Sequence, residues 1–349
     1  MKFCFLGAGA LGTYVGGSLA AAGHEVGFIE QPGPAEAIAE RGLSITTGTG
    51  TRRVRDVRLF TEPGAALAAT RWDVLVFALK SFDTAAALEE LSGTGVRIPT
   101  VLSLQNGVDN EPLIATALGV DRVIAGAVAT AIAKPGLGEV VEETHRGIGI
   151  AAGHPLSDQV VAALDDAGLG ARSYPQAGPM KWSKLITNLQ GNAASAILDL
   201  PVRAIYADRR LFALEIAALR ETVAVMSALG FAPVDLPSTP VRALAFGARR
   251  APRVILQPVL TRLLGDSRGD KMPSFHIDLH GGRGRTEVDY INGAVVRHGE
   301  RLGVPTPVNR VLTSTLDALS SGERDLEAFR HRPEALLSLL RAGTAQPSV

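Results

Sequence analysis

The chain holds one cysteine in 349 residues, no excess of charge of either sign, and no apolar run suited to crossing a bilayer. The lone Cys4 excludes an internal disulfide and fits a reducing compartment. It falls in an early apolar stretch, where a thiol packs rather than attacks. Thirty-five Lys and Arg stand against thirty-five Asp and Glu, and the pI is about 7.1. That balance lacks the electrostatic footprint of a nucleic-acid binder and gives no pull toward an anionic membrane. There is no P-loop, no G-x-S-x-G elbow and no internal repeat. His276 and His280 lie four apart, but the zinc-protease pattern needs Glu directly after the first histidine and Ile277 stands there, so no metal is expected.

What is present is apolar and patterned. Hydrophobic residues make up 46% and mean hydropathy is +0.18, enough for sizeable cores. At this length two domains are expected. The first thirty residues organise the rest. Residues 3–6 have the length of a buried parallel strand. Gly7, Gly9 and Gly12 follow at its carboxyl end, with Ala10 and Leu11 between, and residues 10–22 can continue as a helix. In that setting G-x-G-x-x-G has physical content: Gly7 permits the turn, Gly9 lets a pyrophosphate approach the backbone, and Gly12 lets the helix pack on the strand. The helix then presents free N–H groups and its positive dipole end to the phosphates. A second strand, 25–29, ends in Glu30, an acceptor for ribose hydroxyls. The start of the chain, Met1-Lys2 and apolar residues, has a superficial likeness to a secretory leader. The run is too short, and its removal would destroy the glycine fingerprint, so a cytoplasmic location is expected.

Residues 31–34 read as a turn, 35–41 as a short helix, and 43–47 and 54–60 as strands. Buried parallel strands are expected at 72–79 and 101–104, then partly antiparallel ones at 123–129, 139–142 and 147–151. A helix over 158–167 and a strand over 171–174 close this part. Ligands of doubly wound sheets lie at the carboxyl ends of strands, which is where Lys80 and Asn106 fall. Each is either a strand-end residue or a binding group. Near Pro175 the composition changes, and helical periodicity dominates at 180–198, 208–229, 241–247, 253–264, 286–302, 308–320 and 333–341. Residues 266–270 read as a polar loop and the tail after about 342 as frayed. The fold expected is an α/β Rossmann-type dinucleotide-binding domain, 1–175, followed by an all-α domain, 176–349, with a cleft between.

Two stretches of the second domain carry candidate chemistry. Lys184, Asn188 and Asn192 are spaced i, i+4, i+8 and form one polar stripe on an otherwise apolar helix. Lys184 is either an exposed lysine with its stem along the surface or a group in a wet cleft, and the two asparagines favour the cleft. Thr286 and Asp289 fit a capping box, so a helix should start at Glu287. Glu287 is either a first-turn acid complementing the helix dipole or, since Asp289 serves that end, a side chain facing the cleft.

With these motifs in view, the chain resembles the ketopantoate reductases (2-dehydropantoate 2-reductases) from Met1 to about Leu319. The motifs are G-A-G-A-L-G at 7–12, L-K-S at 79–81, Q-N-G at 105–107, W-S-K-L-x-x-N-x-x-x-N at 182–192 and T-E-V-D-Y-I-N-G at 286–293. The resemblance implies NADPH-dependent reduction of 2-dehydropantoate to (R)-pantoate. It implies that Lys184 is the general acid, that Asn188 and Asn192 hydrogen-bond the substrate, and that Asn106 lies beside nicotinamide and substrate. It further implies that Ser274 holds the carboxylate, that Glu287 binds substrate and orients Lys184, and that Lys80 lies against the cofactor. Many such reductases self-associate through the helical domain, and the apolar content of 208–229 allows a homodimer.

Two departures stand out. NADPH-using members usually carry an Arg just after the second strand, and here Gln31 follows Glu30. A carboxylate suits a ribose 2′-OH and repels a 2′-phosphate, which favours NADH over the family's NADPH unless Arg41 or the arginines at 52, 53, 55 and 58 reach the phosphate. Extra sequence falls in 237–271, ahead of Ser274, so a different 2-oxo acid is an alternative substrate. A flavoprotein and a non-catalytic dinucleotide sensor are the remaining alternatives. The first would need a Gly-Asp at a strand end, and the second has no reason for a Lys-Asn-Asn stripe.

Overall fold

The computed structural model describes residues 1–268 and 271–344. The chain divides into two compact units: Met1–Lys181 with Asp235–Thr239, and Trp182–Val234 with Pro240 onward. The division falls inside a helix, Ala177–Leu189, a few residues beyond the composition change at Pro175.

The first unit is α/β. Its strands are β1 (Lys2–Leu6), β2 (Glu25–Ile29), β3 (Leu43–Thr47), β4 (Gly50–Val54), β5 (Arg58–Phe60), β6 (Val74–Phe77), β7 (Thr100–Ser103), β8 (Val123–Val128), β9 (Ala131–Gly136), β10 (Glu139–Thr144), β11 (Ile148–Ala151) and β12 (Ala171–Tyr174). Eight form one sheet in the order β12-β11-β8-β7-β6-β1-β2-β5, parallel except where β11 meets β8. The other four form a smaller sheet, β4-β3-β10-β9. β1 is central, with Phe3 opposite Val26 on one side and Val74 on the other. Its continuous apolar run is used on both faces, as a parallel strand under two helical layers requires. Phe3 and Phe5 join one core with Tyr14 and Phe28, while Cys4 and Leu6 join a second with Trp72 and Phe77. Burial pushes the Cys4 thiol up to about 12, as its packing role implies.

Three local expectations change. The helix expected at 35–41 begins earlier, as Pro32–Arg41, because proline at the first helical positions needs no N–H partner. The strand expected at 54–60 is two strands: Val54 closes the β3–β4 hairpin, and Arg58–Phe60 adds to the edge of β2. β9, which contains Pro135, escapes the sequence pattern; it is an edge strand, where a missing donor is tolerated.

The second unit is helical among its described residues. The helix expected over 180–198 breaks in two, Ala177–Leu189 and Asn192–Leu198, at Gly191 with φ +66°. Further helices span Val202–Ala207, Arg209–Ala228, Val241–Arg250, Arg253–Arg268, Ser274–His280, Ala294–Leu302, Pro307–Ser320 and Pro333–Thr344. The helix expected from Glu287 opens instead with a π turn, Asp289–Gly293. Thr286 Oγ1 accepts from Val288 N at 3.4 Å, and Asp289 is drawn to Arg297 at 2.6 Å, so the capping box does not close. The helix to Arg268 replaces most of the polar loop expected at 266–270, and residues 269–270 and 345–349 lie outside the described part. No described helix is long and apolar enough to cross a membrane. The apolar side of Arg209–Ala228 is spent on the unit's own core, and the exposed large apolar side chains include Phe246, Val254 and Ile255, within the extra segment.

Candidate active site

In the first unit the glycine loop joins β1 to the helix Ala10–Ala21. Gly7 has φ +92° and its N–H reaches Ile29 O at 3.0 Å, so the loop turns across the end of β2. A Cβ on Gly12 would sit 2.0 Å from Gly7 O, whereas one on Gly9 would meet nothing within 4 Å. Gly12 is therefore required by packing, and Gly9 borders open space. The helix has no side-chain cap and no acid in its first turn, which leaves its N–H groups and positive dipole end to an anion. Ala10 and Leu11 open this helix. Glu30 folds back on the loop: its Oε1 accepts from Ala8 N and its Oε2 from Gln31 N at 3.0 Å.

Beside them lies a cavity of about 390 Å³, bordered by Gly7, Leu79 and Gln31 and by three carboxylates, Glu30, Asp83 and Glu90, with no cationic side chain on its wall among the described residues. The arginines considered from the sequence do not line it. Arg58 pairs with Glu25 at the opposite end of β2, at 3.2 Å, and lies over Phe60 and Trp72; Arg52 and Arg53 belong to the smaller sheet.

Lys80 and Asn106 occupy the loops after β6 and β7. A buried amide network joins the two loops. Gln105 Nε2 donates to Thr84 Oγ1 at 2.8 Å and Leu79 O at 3.2 Å, Ser81 Oγ donates to Asn106 O at 3.0 Å, and Asn110 Nδ2 donates to Asn106 O at 2.6 Å. Lys181 anchors it. Its ammonium, on a side chain only 4% exposed as a residue, reaches Gln105 O at 2.7 Å, Gly126 O at 3.2 Å and Glu111 Oε1 at 2.7 Å. Sequence reasoning passed over Lys181; the available signal was a lysine on the apolar side of the helix that carries Lys184.

In the second unit Lys184 and Asn188 are half-buried, while Leu185, Ile186 and Leu189 fill the core. Asn192 does not extend their helix. The chain turns at position 191 with φ +66°, and only glycine fits, since a Cβ would sit 2.8 Å from Val202; its N–H is held by the buried Glu215 at 2.8 Å. Asn192 then opens the next helix and spans to two others. Its Nδ2 donates to Asn188 O at 3.1 Å and Ser274 Oγ at 3.3 Å, and its Oδ1 accepts from Phe275 N at 3.1 Å. Asn188, Asn192 and exposed Ser274 are thus brought together by one buried amide. Glu287 is buried, 3% exposed, with its carbonyl accepting from Tyr290 N and Ile291 N.

A glycine loop between a central parallel strand and an uncapped helix, with an acid closing the next strand, defines a dinucleotide-binding domain of Rossmann type. Residues 3–153 match the family model described as ketopantoate reductase PanE/ApbA, and residues 178–320 match the model of that family's C-terminal part. The chain belongs to the ketopantoate reductase family, a family of oxidoreductases. It is 29% identical to the 2-dehydropantoate 2-reductase of Pyrococcus horikoshii, over 92% of this chain and 98% of that one. It is also 29% identical to that of Halobacterium salinarum, over 93% and 100%. A PanE/ApbA family ketopantoate reductase from Ralstonia eutropha JMP134 superposes with a TM-score of 0.78 at 30% identity, over 93% of this chain and 100% of that one. The fold is shared with D-mandelate dehydrogenase, TM-score 0.75 at 22% identity, over 92% and 99%.

Proposed function

We infer that the protein is a cytoplasmic reductase of ketopantoate or a close 2-oxo acid, with NADH as its reductant. The observation that carries the reading is the Asn192 buckle. It draws Asn188 and Ser274 to one place in a unit whose spacing of Lys184, Asn188 and Asn192 matches the family motif. The loop fits the cofactor: Gly9 borders open space and the helix end is bare. When bound, the reduced nicotinamide supplies the hydride taken up by the ketone carbon. The Lys184 ammonium gives its proton to the oxygen that becomes the hydroxyl. The Ser274 hydroxyl and the Asn188 amide hold the substrate carboxylate and oxygen, and Glu287 orients Lys184. Asn192, whose amide is spent on protein partners, contributes by fixing Ser274. Lys80 and Asn106, on loops tied together by Gln105 and Asn110, border the cofactor.

The preference for NADH rests on the three carboxylates around the cavity at Glu30 and Gln31. Among the described residues, a 2′-phosphate would meet acids and no cation there. A different 2-oxo acid is the second reading of the substrate, supported by the fold shared with D-mandelate dehydrogenase, which was solved with NADH and anilino(oxo)acetate. The test is steady-state reduction of ketopantoate and a panel of 2-oxo acids, with NADH and NADPH in parallel. Turnover with NADH ahead in kcat/KM is expected. A preference for NADPH would overturn the reading of Glu30 and Gln31. Dinucleotide binding without turnover of any 2-oxo acid would point to a sensor instead.

A further inference from the structure

Asp199, His276 and His280, none of them given a role above, converge in the helical unit. Asp199 follows the helix Asn192–Leu198 in the left-handed region, φ +50°. His276 and His280 stand one turn apart on the helix Ser274–His280, their rings stacked with centroids 4.1 Å apart. His276 Nε2 is 2.7 Å from Asp199 Oδ1, and one ligand-capable atom from each of the three side chains lies within 4.8 Å of the others. His280 is exposed at the edge of the cluster, so a small ion can enter from solvent.

We propose that Asp199, His276 and His280 form a binding site for a divalent metal of the zinc class. Two imidazole nitrogens and one carboxylate oxygen are the donor set that such ions take, at about 2.0–2.2 Å, with a further position left to water. The metal takes the place of the proton now shared between His276 and Asp199. The shell behind the donors is also in place. Arg330 Nε holds Asp199 Oδ2 at 3.0 Å, which leaves Oδ1 to face the ion. The Ala196 carbonyl, 3.1 Å from His280 Nε2, accepts that nitrogen's proton, so the lone pair of the ring stays on Nδ1. Ile277 excludes a zinc-protease motif, as the sequence indicated, but the third donor comes from 77 residues upstream of His276, where no local pattern shows it. The site ties the two helices already joined through Asn192 and Ser274 at a second point, which fixes their mutual register.

The test is titration of the metal-free full-length protein with Co²⁺, read by its visible absorption, followed by displacement with Zn²⁺. One equivalent should bind saturably and be displaced. His280→Ala should weaken binding about tenfold or more, and Asp199→Asn, which keeps a residue tolerant of the left-handed conformation, should do the same. Thermal melts of the metal-free variants check that each remains folded. Met1 N lies 3.0 Å from His24 Nδ1 and offers another place for a metal, so His24→Ala is the control and should leave the affinity unchanged. Absence of one-equivalent binding, or binding that survives both His280→Ala and Asp199→Asn, would overturn the proposal.

Discussion

Replacing Lys181 with methionine should destabilise the first unit by about 3–5 kcal/mol, the cost of breaking a buried ion pair from one side. Methionine keeps a long apolar stem, so the packing changes little and the charge is what disappears. Left behind are the Glu111 carboxylate, with its side chain 13% exposed, and the carbonyls of Gln105 and Gly126 without their shared donor. In a unit of this size each kcal/mol moves the melting point by about 2–4 °C, so a fall of about 6–20 °C is expected. Urea unfolding read by tryptophan fluorescence measures it. The chain has two tryptophans, Trp72 in the first unit and Trp182 in the second, and a Trp182→Phe background isolates the first. Adding Glu111→Gln should restore much of the loss, because a neutral amide no longer needs the counter-charge. A loss of less than about 1 kcal/mol, the worth of a surface pair, would refute the reasoning. A double variant no better than the single one would show that charge is not the cause.

Lys184→Ala, three residues on, should behave in the opposite way: kcat falls about 10²–10⁴-fold while the urea midpoint holds, and an unchanged kcat would remove Lys184 from the mechanism. Gly9→Ala should fold normally and lose dinucleotide affinity in fluorescence titrations, whereas Gly12→Ala, with its Cβ 2.0 Å from Gly7 O, should lose stability as well. Asp208 caps the helix Arg209–Ala228, accepting from Arg210 N at 2.8 Å and Leu211 N at 3.3 Å, and Asp208→Ala should cost about 1 kcal/mol. The Arg210 side chain beside it, with those two N–H groups, holds its carboxyl below the usual range. Its contribution is therefore present above the unfolded-state value of about 3.9 and is lost as pH falls through the lower folded value. The gap between parent and Asp208→Ala should close on acidification, and a gap that persists would mean the cap acts without its charge.

What could be read in advance followed from local physics. The β1–glycine–helix–β2 unit was legible because strand, glycines, helix and closing acid follow one another within thirty residues. The break at Gly191 was not. Helical spacing places Asn192 in line with Lys184 and Asn188, but the chain turns at Gly191, where a Cβ would meet Val202, and sends Asn192 to Ser274 instead. Lys181 and Glu215 were hidden for a related reason. Their partners, Glu111 and the Gly191 N–H, are 70 and 24 residues away, and nothing in periodicity reports a charge that is neutralised by a distant segment. The helix Ser274–His280 is too short to announce itself against the polar residues around it.

The two bonds made by the Glu30 carboxylate join two properties that are usually engineered apart. One oxygen steadies the glycine loop through Ala8 N, so exchanging this acid to admit a phosphorylated cofactor also slackens the loop that must grip the pyrophosphate. Position 31 carries no such obligation: its side chain is exposed and only its backbone is engaged with Glu30. Selection between the two nicotinamide pools of a cell is thus easier to retune at Gln31 than at Glu30. On the NADH reading proposed above, a change of reductant in descendants of this chain should begin with a basic residue arriving at 31 while the acid beside it stays.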